Sequence, residues 1–400
     1  MPQNAVHPLV FYRDCPQRRR PTPRRVRRLD KLAKRDGSPP LTFPRTIGFD
    51  GRMLDLGLPQ ELVRDWLIPR GVERVDPMQG GLSGGWVGKC VTANRDNFAL
   101  KRWPDGVTRA RVAEVHHVVR YAASRGCRVL AVPLSVTPNS DGVAESKTFA
   151  EFSGRYWEIS TWREGLPEDA AASLEKVRLG AAAIAEFHAC VSPLKVKTQV
   201  APAVLDRLIR LEERSSKIAS LDESAIQDVA NAELRRALLD ATQLVRWKWD
   251  EVRPRIHRSL SQYHDRKVRT QYVLRDVHRE HLLFQQGKVS GLIDFDALRV
   301  DTTATDLARW VGSFLGGPHH AGEVWEAGLA GFQSNAAFKN GKETEFEAQL
   351  AADLCFASTW ISLANWLVWL LRERRDFQAE PTALASRIAE LVRLASVTAS

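Results

Sequence analysis

The sequence predicts an α+β protein in which a small, mostly antiparallel β-sheet lobe precedes a larger, mainly helical lobe. From Val72 to Thr161, short strand-like segments are separated by turn residues such as glycine and asparagine. Beyond Trp162, apolar residues recur mostly at helical spacing. The chain of 400 residues is also longer than one hydrophobic core usually requires. We therefore expect an N-terminal lobe, residues 49–161, and a C-terminal lobe, residues 162–400, preceded by a tail, residues 1–48.

The N-terminal lobe should contain a short leading helix, five strands and one helix inserted after the third strand. A glycine cluster separates the first two strands, and a turn at residues 94–97 separates the second from the third. The helices are predicted at Pro59–Ile68 and Thr108–Ser124, and the strands at Val72–Met78, Trp86–Thr92, Asn97–Trp103, Thr148–Phe152 and Tyr156–Thr161.

The C-terminal lobe should be helical with a single interruption. Leu282–Phe284 and Val289–Phe295 flank a turn that contains Gly287, which predicts a β-hairpin within helical surroundings. We expect the chemistry of the protein at this hairpin. The predicted helices are Ala170–Ala189, Ala201–Ile218, Ala225–Val252, Thr305–Leu315, Gly322–Phe332, Glu343–Arg374 and Thr382–Leu394.

The positive charge of the chain is concentrated in the tail. The net charge is +10, and residues 1–48 hold 12 Lys/Arg against 3 Asp/Glu, whereas the remaining residues hold 46 against 45. A basic, proline-rich segment with few apolar residues is expected to be disordered. It is either an arm that binds nucleic acid or an anionic membrane, or a dispensable extension, and we favour the extension because basic runs are unspecific signals.

Cysteine usage and hydropathy favour a cytoplasmic protein. The five cysteines are scattered, odd in number and without C-x-x-C spacing, which is typical of reduced thiols rather than of disulfides or a zinc site. The segment Leu354–Leu371 is long enough to be considered as a membrane span. It contains Ser358, Thr359, Ser362 and Asn365, so a buried helix of the helical lobe explains it better.

Two features of the sheet lobe suit phosphate binding. Glycines let a turn bring backbone N–H groups close to phosphate oxygens, and the turn between the first two strands is rich in them: Gly80, Gly81, Ser83 and Gly84 are its candidate residues. Lys101 ends an apolar strand, and Glu114 of the following helix is its candidate counter-ion. Each feature alone is weak, because a flexible turn and a solvated lysine are the commoner explanations.

The strongest signal lies around the predicted hairpin. Asp276 stands just before it, and Asp294 follows the apolar run Gly-Leu-Ile at its far end. Turn chemistry accounts for many acidic residues near hairpins, but an aspartate among apolar residues costs free energy unless it is paired or metal-bound. Asp276 could orient or deprotonate a hydroxyl, and Asp294 could hold Mg²⁺.

The order of these features resembles the aminoglycoside phosphotransferase and choline kinase family, which is related to the protein kinases. The resemblance runs from about Val72 to about Trp310 and implies a bilobal protein-kinase-like fold. It also implies transfer of the γ-phosphoryl group of ATP or GTP to a small-molecule hydroxyl, with Mg²⁺. The roles it implies are catalysis for Asp276, metal binding for Asp294, nucleotide binding for Lys101, Glu114 and Trp162, and support of the catalytic loop for His278 and Asp306.

Two departures from the family pattern H-G-D-x-H-x-x-N affect the site. Leu274-Arg275 replaces the first His-Gly, and His281 occupies the position of the metal-binding asparagine. Imidazole is a poor ligand for Mg²⁺ and a better one for Mn²⁺ or Zn²⁺. Either Asp294 holds the metal largely alone, or His281 selects a different ion, or the metal site is degraded.

Other functions remain open on these grounds. A pseudokinase-like protein would bind nucleotide, or serve as a scaffold, without transferring phosphate. The acceptor substrate is also open: a polycationic aminoglycoside would need an acidic cleft, whereas the acidic residues of the helical lobe are interleaved with Arg and Lys. The acidic residues in question are Glu212, Glu213, Asp222, Glu223 and Asp250.

Overall fold

The computed structural model describes residues 72–78, 84–135, 147–335, 341–375, 377 and 380–399. The predicted tail, residues 1–48, and the predicted leading helix, Pro59–Ile68, lie outside the described residues.

The first lobe is a five-stranded antiparallel sheet with one helix, and its strand order is β1-β2-β3-β5-β4. A small core forms on it from Val75, Cys90, Phe98, Leu100, Trp157 and Ile159. The elements are β1 (Val72–Pro77), β2 (Trp86–Thr92), β3 (Asn97–Arg102), α1 (Arg109–Ser124), β4 (Ala150–Phe152) and β5 (Arg155–Thr161).

Helix α1 joins the two lobes. Its first turn is capped by Thr108, whose hydroxyl accepts a hydrogen bond from the backbone N–H of Arg111 at 3.2 Å. Its buried face, which includes Val112, Val115 and Val119, packs into the large core of the helical lobe rather than into the core of the sheet. The helix therefore links strand β3 to the segments that carry the candidate site.

The second lobe is mainly helical, and its large core is built from most of its helices. Its elements are β6 (Leu166–Pro167), α2 (Leu174–Val191), β7 (Lys197–Val200), α3 (Pro202–Ile218), α4 (Ser224–Gln227), α5 (Ala232–Ser261), β8 (Lys267–Val273), a 3₁₀ turn (Arg279–His281), β9 (Leu282–Gln285), β10 (Lys288–Leu292), β11 (Arg299–Asp301), α6 (Ala304–Gly312), α7 (Ala321–Gln333), α8 (Gly341–Leu367), a π-helical turn (Val368–Arg372) and α9 (Pro381–Ala399).

The helical lobe contains more strand than its sequence predicts. The predicted hairpin is β9–β10, turned at Gln286 and Gly287 with positive φ, and β6 pairs with its outer edge. A second small sheet, in the order β11-β8-β7, was missed. The last four residues of β8 are all buried, so polar and apolar residues do not alternate there, and β7 and β11 are too short to form a pattern.

Several predicted helix ends shift in the structure. Helix α5 does not end at Val252 but continues past Pro254 to Ser261, because Ile256 and Leu260 of its last turns are buried in the core. Helix α6 ends at Gly312, three residues before its predicted end at Leu315. The last turns predicted for α8 form the π-helical turn instead.

The apolar segment considered as a membrane span lies inside the helical lobe. One helical stretch, Glu345–Arg372, is long and apolar enough to cross a membrane, and 78% of its apolar window is buried within the protein. Trp360, Leu363 and Leu367 have no exposed surface. The stretch is thus packed as a core helix.

Candidate active site

The loop that carries Asp276, the predicted catalytic residue, begins where β8 ends and is held by a buried carboxylate. Asp306, on the first turn of α6, is completely buried and accepts hydrogen bonds from the backbone N–H groups of Leu274 at 2.7 Å and Arg275 at 2.6 Å. Nε2 of His188, on α2, lies 2.7 Å from Oδ2 of Asp306, the oxygen that also accepts from Leu274. Arg275 has a φ of +65°, a left-handed conformation that costs free energy in a residue with a side chain. The bonds to Asp306 stabilise this turn, and the turn presents Asp276.

Asp276 is held ionised by an arginine of α6. Arg309 donates a hydrogen bond from Nη2 to Oδ1 of Asp276. Burial works to raise the pKa of Asp276, but Arg309, His278 and His281 together outweigh it, and the pKa lies well below its usual range. A carboxylate with a low pKa is a weak base, so this geometry suits the orientation of a hydroxyl better than full removal of its proton.

A lysine of the sheet lobe reaches the acids that follow the hairpin. Lys101 Nζ lies 3.1 Å from Oδ1 of Asp294 and 2.6 Å from Oδ1 of Asp296. Asp294 follows the end of β10 and has a φ of +61°, so its side chain is turned back toward the lobe interface by a strained backbone. Lys101 lowers the pKa of Asp294, whereas burial raises the pKa of Asp296 to about 6.

His281 bridges the two predicted aspartates. Its Nδ1 lies 2.6 Å from the backbone carbonyl oxygen of Asp276, and its Nε2 lies 3.7 Å from Oδ2 of Asp294. A carbonyl can only accept, so Nδ1 carries the proton. In the neutral ring Nε2 then has a free lone pair directed toward Asp294. The ring of His278 packs against that of His281 with centroids 3.9 Å apart.

The expected ion pair between Lys101 and Glu114 is not formed. Glu114 accepts hydrogen bonds from Arg111 at 3.0 Å and from the hydroxyl of Tyr272 at 3.2 Å. Arg111 also binds the backbone carbonyl oxygen of Asp296 at 2.7 Å, so it ties α1 to the segment after the hairpin. Glu114 is thus neutralised on its own helix, and Lys101 has nearer acids to bind.

The acid opposite Lys101 in the sheet is Glu158. The two residues are direct partners in the pairing of β3 with β5. Glu158 is buried and accepts hydrogen bonds from Trp103 Nε1 at 2.6 Å and from His116, whose Nε2 lies 2.6 Å away. Burial works to raise the pKa of Glu158, but His116 and Lys101 lower it.

The remaining predicted nucleotide contacts are only partly within the described residues. Gly80, Gly81 and Ser83 fall outside the described residues, and Gly84 has a φ of +79° with open space where a Cβ would lie. The strands flanking this turn are paired, with Pro77 opposite Gly88. Trp162 follows β5, and the ammonium group of Lys89 lies 4.8 Å from its ring centroid.

Sequence reasoning missed four residues of the site, which are Arg111, Glu158, Asp296 and Arg309. Asp296 is two residues from Asp294 in the same motif, so the repeated acid was its signal. Glu158 lies between the apolar residues Trp157 and Ile159 of its strand, a signal like the one that identified Asp294. Arg111 and Arg309 gave no signal, because arginines on helices usually face solvent.

A small cavity lies beside Arg309, the partner of Asp276, on the side of the helices. Its volume is about 40 Å³, room for a few water molecules or one small polar group, and its lining includes His278, Arg309 and Ser313 with residues of α8 and α9. Arg387 and Glu390 of α9 lie in its wall, 2.9 Å apart, and Glu390 also binds Arg279 at 2.5 Å.

The donors available for a metal are few. Among the described residues, no cluster of three or more His, Cys, Asp or Glu side chains is arranged to hold a metal ion. Mg²⁺ in phosphotransferases is usually held by one or two carboxylates together with substrate phosphates. Asp294 and the free Nε2 of His281 fit such an incomplete site.

Comparison with known proteins identifies the family. The sequence profile of the phosphotransferase enzyme family (APH) matches residues 81–337. A search of curated proteins by sequence finds no match.

Solved structures share the fold at low identity. An aminoglycoside phosphotransferase from Alicyclobacillus acidocaldarius is 16% identical, with a TM-score of 0.52 over 84% of this chain and 96% of that one. A spectinomycin phosphotransferase solved with ADP and spectinomycin is 10% identical, with a TM-score of 0.52 over 82% of this chain and 93% of that one. These likenesses agree with the bilobal, protein-kinase-like α+β fold described above. With the profile match covering more than half of its length, the chain belongs to the phosphotransferase enzyme family.

Proposed function

We propose that this protein transfers the γ-phosphoryl group of ATP or GTP to a hydroxyl group of a small molecule in the cytoplasm. The observation that carries the proposal is the meeting of Lys101, from the sheet lobe, with Asp294 and Asp296, from the segment after the hairpin. A lysine from one lobe and acids from the other define a cleft between them, and His281 connects this cleft to Asp276.

Lys101 and the glycine turn are proposed to hold the nucleotide phosphates. Lys101 is charged, because the attraction of Asp294 and Asp296 raises its pKa against the opposing effect of burial. It can therefore offer N–H donors to phosphate oxygens while it stays close to Asp294. Trp162 provides a further donor, since its Nε1 is buried without a hydrogen-bond partner among the described residues.

Asp294 and His281 would hold a divalent metal ion. When bound, the ion would supply positive charge to the phosphate oxygens as negative charge develops on them. The mixed carboxylate and imidazole donors favour Mn²⁺ over Mg²⁺, because imidazole suits softer ions.

Asp276 is proposed to align the acceptor hydroxyl. Phosphoryl transfer passes through a loose transition state that asks mainly for positioning and charge stabilisation. An ionised carboxylate fixed by Arg309 can accept a hydrogen bond from the hydroxyl and set the direction of its attack.

The test is a nucleotide consumption assay with the purified full chain. ATP and GTP are each offered with Mg²⁺ or Mn²⁺ and a panel of hydroxyl compounds, and nucleotide binding is followed separately by thermal shift. We expect binding by the wild type and by the control Lys288→Met, a change at an exposed lysine in the hairpin turn, and weak binding by Lys101→Met.

Two outcomes would contradict the proposal. If the nucleotide does not bind to the wild type, the cleft has another role. If the nucleotide binds but is not consumed with any acceptor or either metal ion, the protein acts as a nucleotide-binding pseudokinase.

A further inference from the structure

The cavity beside Arg309 is lined by more positive than negative charge. Arg309 and Arg387 lie in its wall, and Glu390 is the one carboxylate among its lining residues. Glu390 is already bound by Arg387 at 2.9 Å and by Arg279 at 2.5 Å. Arg279 also lies 4.0 Å from Glu280, and Arg309 is paired with Asp276 outside the lining. Among the lining residues themselves, two arginines stand against one carboxylate.

One N–H donor of Arg309 lacks an acceptor among the described residues. Its Nη2 is bound to Asp276, but its Nε is buried and has no hydrogen-bond partner among the described residues. A buried guanidinium N–H without an acceptor costs free energy, typically about 1–3 kcal/mol. A ligand oxygen that accepts from it would remove this cost.

A further arginine adds to the positive field behind the wall. Arg207 of α3 donates to the hydroxyl of Ser358, a lining residue, at 2.7 Å and to the backbone carbonyl oxygen of Ala203 at 3.0 Å. Burial, together with repulsion from Arg275 and Arg309, lowers the pKa of Arg207 to about 10 despite attraction from Asp301.

The acids that a cationic acceptor would need are engaged elsewhere. Glu212 lies 3.1 Å from Arg253, Asp222 lies 2.8 Å from Arg374, and Glu223 lies 2.5 Å from Arg246. None of these three carboxylates belongs to the described lining of the cavity. A polycation would therefore meet arginines at the cavity, and three of its five potential partners are already paired.

We propose that the acceptor is an alcohol that also carries an oxyanion, a phosphate or a carboxylate, and that Arg309 and Arg387 bind this group in this cavity. This proposal rests on the proposed function for its transfer step, but the binding of an oxyanion can be tested without any transfer. The planar fork of arginine matches the oxygens of both groups. With the oxyanion fixed there, a nearby hydroxyl of the same molecule lies within reach of Asp276.

The binding test uses inorganic phosphate as the probe. Phosphate is titrated by calorimetry at constant ionic strength into the full-length wild type and three variants. Arg387→Gln tests the cavity, Arg393→Gln is the matched control at an exposed arginine of the same helix, and Lys101→Met removes the nucleotide-side cation. We expect Arg387→Gln to weaken phosphate binding roughly 10- to 100-fold, the range of a charge-assisted hydrogen bond, while Arg393→Gln binds like the wild type. Lys101→Met should lose any binding at the nucleotide side and keep the binding that depends on Arg387.

Two outcomes of the phosphate titration would contradict the proposal. If Lys101→Met loses phosphate while Arg387→Gln keeps it, the anion binds at the nucleotide side and the proposal is wrong. No phosphate binding to a folded wild type would also overturn it. Arg387→Lys keeps the charge without the fork and should bind with intermediate affinity. Melting temperatures without phosphate separate a lost site from a lost fold.

The kinetic test compares acceptors on one carbon skeleton. Glucose, glucose 6-phosphate and glucuronate differ at carbon 6, so the second and third distinguish phosphate from carboxylate. Glucosamine, which carries its amino group at carbon 2, is the cationic member. We expect an anionic member to have at least a roughly tenfold higher kcat/KM than the neutral and cationic members, and Arg387→Gln to abolish the preference.

A higher kcat/KM for glucose or glucosamine than for the anionic members would overturn the proposal. If phosphate binds through Arg387 but no nucleotide is consumed with any acceptor, the transfer function fails and the oxyanion site stands.

Discussion

The two sides of the catalytic loop are charged in opposite ways. Toward the sheet lobe, one cation, Lys101, meets two carboxylates, Asp294 and Asp296. Toward the helices, one carboxylate, Glu390, meets two arginines, and a third, Arg309, occupies only one oxygen of Asp276. Carboxylates therefore outnumber cations on the side of the sheet lobe, and arginines outnumber carboxylates on the side of the helices.

This difference indicates what each side is built to receive. A surplus of carboxylate favours a cation, such as a divalent metal that accompanies a nucleotide. A surplus of guanidinium favours an oxyanion. Asp276 lies between the two, where a phosphoryl group would pass from the first side to the second.

The largest effect is expected from the residue between the two sides. Asp276→Asn should lower kcat by about 10²–10⁴-fold, the range for a positioned base, because the amide cannot align the hydroxyl as a carboxylate does. Nucleotide binding should be kept, since Asp276 does not contact Lys101. The control is Asp265→Asn, at a side chain that is 98% exposed. Unchanged turnover in Asp276→Asn would remove this residue from the mechanism.

On the acidic side, removal of the cation should destabilise the fold. Lys101→Met leaves Asp294 and Asp296 without their shared partner, and the loss of one member of a buried ion pair is costly. Because the side chain of Asp294 is 42% exposed, the loss is reduced by solvent to about 1–3 kcal/mol of unfolding free energy. Urea denaturation of this variant beside Lys288→Met measures it, and equal stability of the two would show that the acids need no cation.

The sequence predicted the family and the fold class because their signals are local. The strand that carries Lys101, the hairpin and the two aspartates lie in short segments whose residue types are unusual for their surroundings, such as an aspartate after Gly-Leu-Ile. The fold class followed from the change in periodicity near Trp162. These signals depend on neighbours along the chain, and the sequence contains them directly.

The partners of each side chain could not be predicted in the same way. Glu114 was expected to bind Lys101, but the choice among Glu114, Glu158, Asp294 and Asp296 depends on distances across lobes. The pairing of Arg309 with Asp276 joins residues 33 positions apart through the packing of α6. Such contacts are set by tertiary structure, on which single-sequence patterns give no information.

The preference for Mn²⁺ or Mg²⁺ tests whether His281 binds a metal ion on the side of the sheet lobe. His281→Asn restores the oxygen donor of the family pattern, so the ratio of activity with Mn²⁺ to activity with Mg²⁺ should fall by about tenfold. His264→Asn, at an exposed histidine, is the control. The measurement is kcat with each metal at saturation. An unchanged ratio in His281→Asn would mean that the imidazole does not bind the metal.

The smallest effect is expected behind the basic wall, where an arginine is held at a cost to stability. The pKa of Arg207 is lowered to about 10, so the folded protein binds its proton less tightly than the unfolded chain does. The resulting penalty is present at all pH values below about 10 and fades as the pH rises through that value. Arg207→Met should therefore raise the unfolding free energy at pH 7 by about 1 kcal/mol, allowing for partial exposure and two lost hydrogen bonds. Arg210→Met, at an exposed arginine of the same helix, should change little.

Melting curves at pH 7 and pH 10 compare the stability of the two variants. Phosphate titration should show weaker binding by the stabilised variant, Arg207→Met. Such an opposition between stability and binding is expected of a group kept for a ligand, whereas a loss of stability in Arg207→Met beyond that in Arg210→Met would identify Arg207 as a structural clamp.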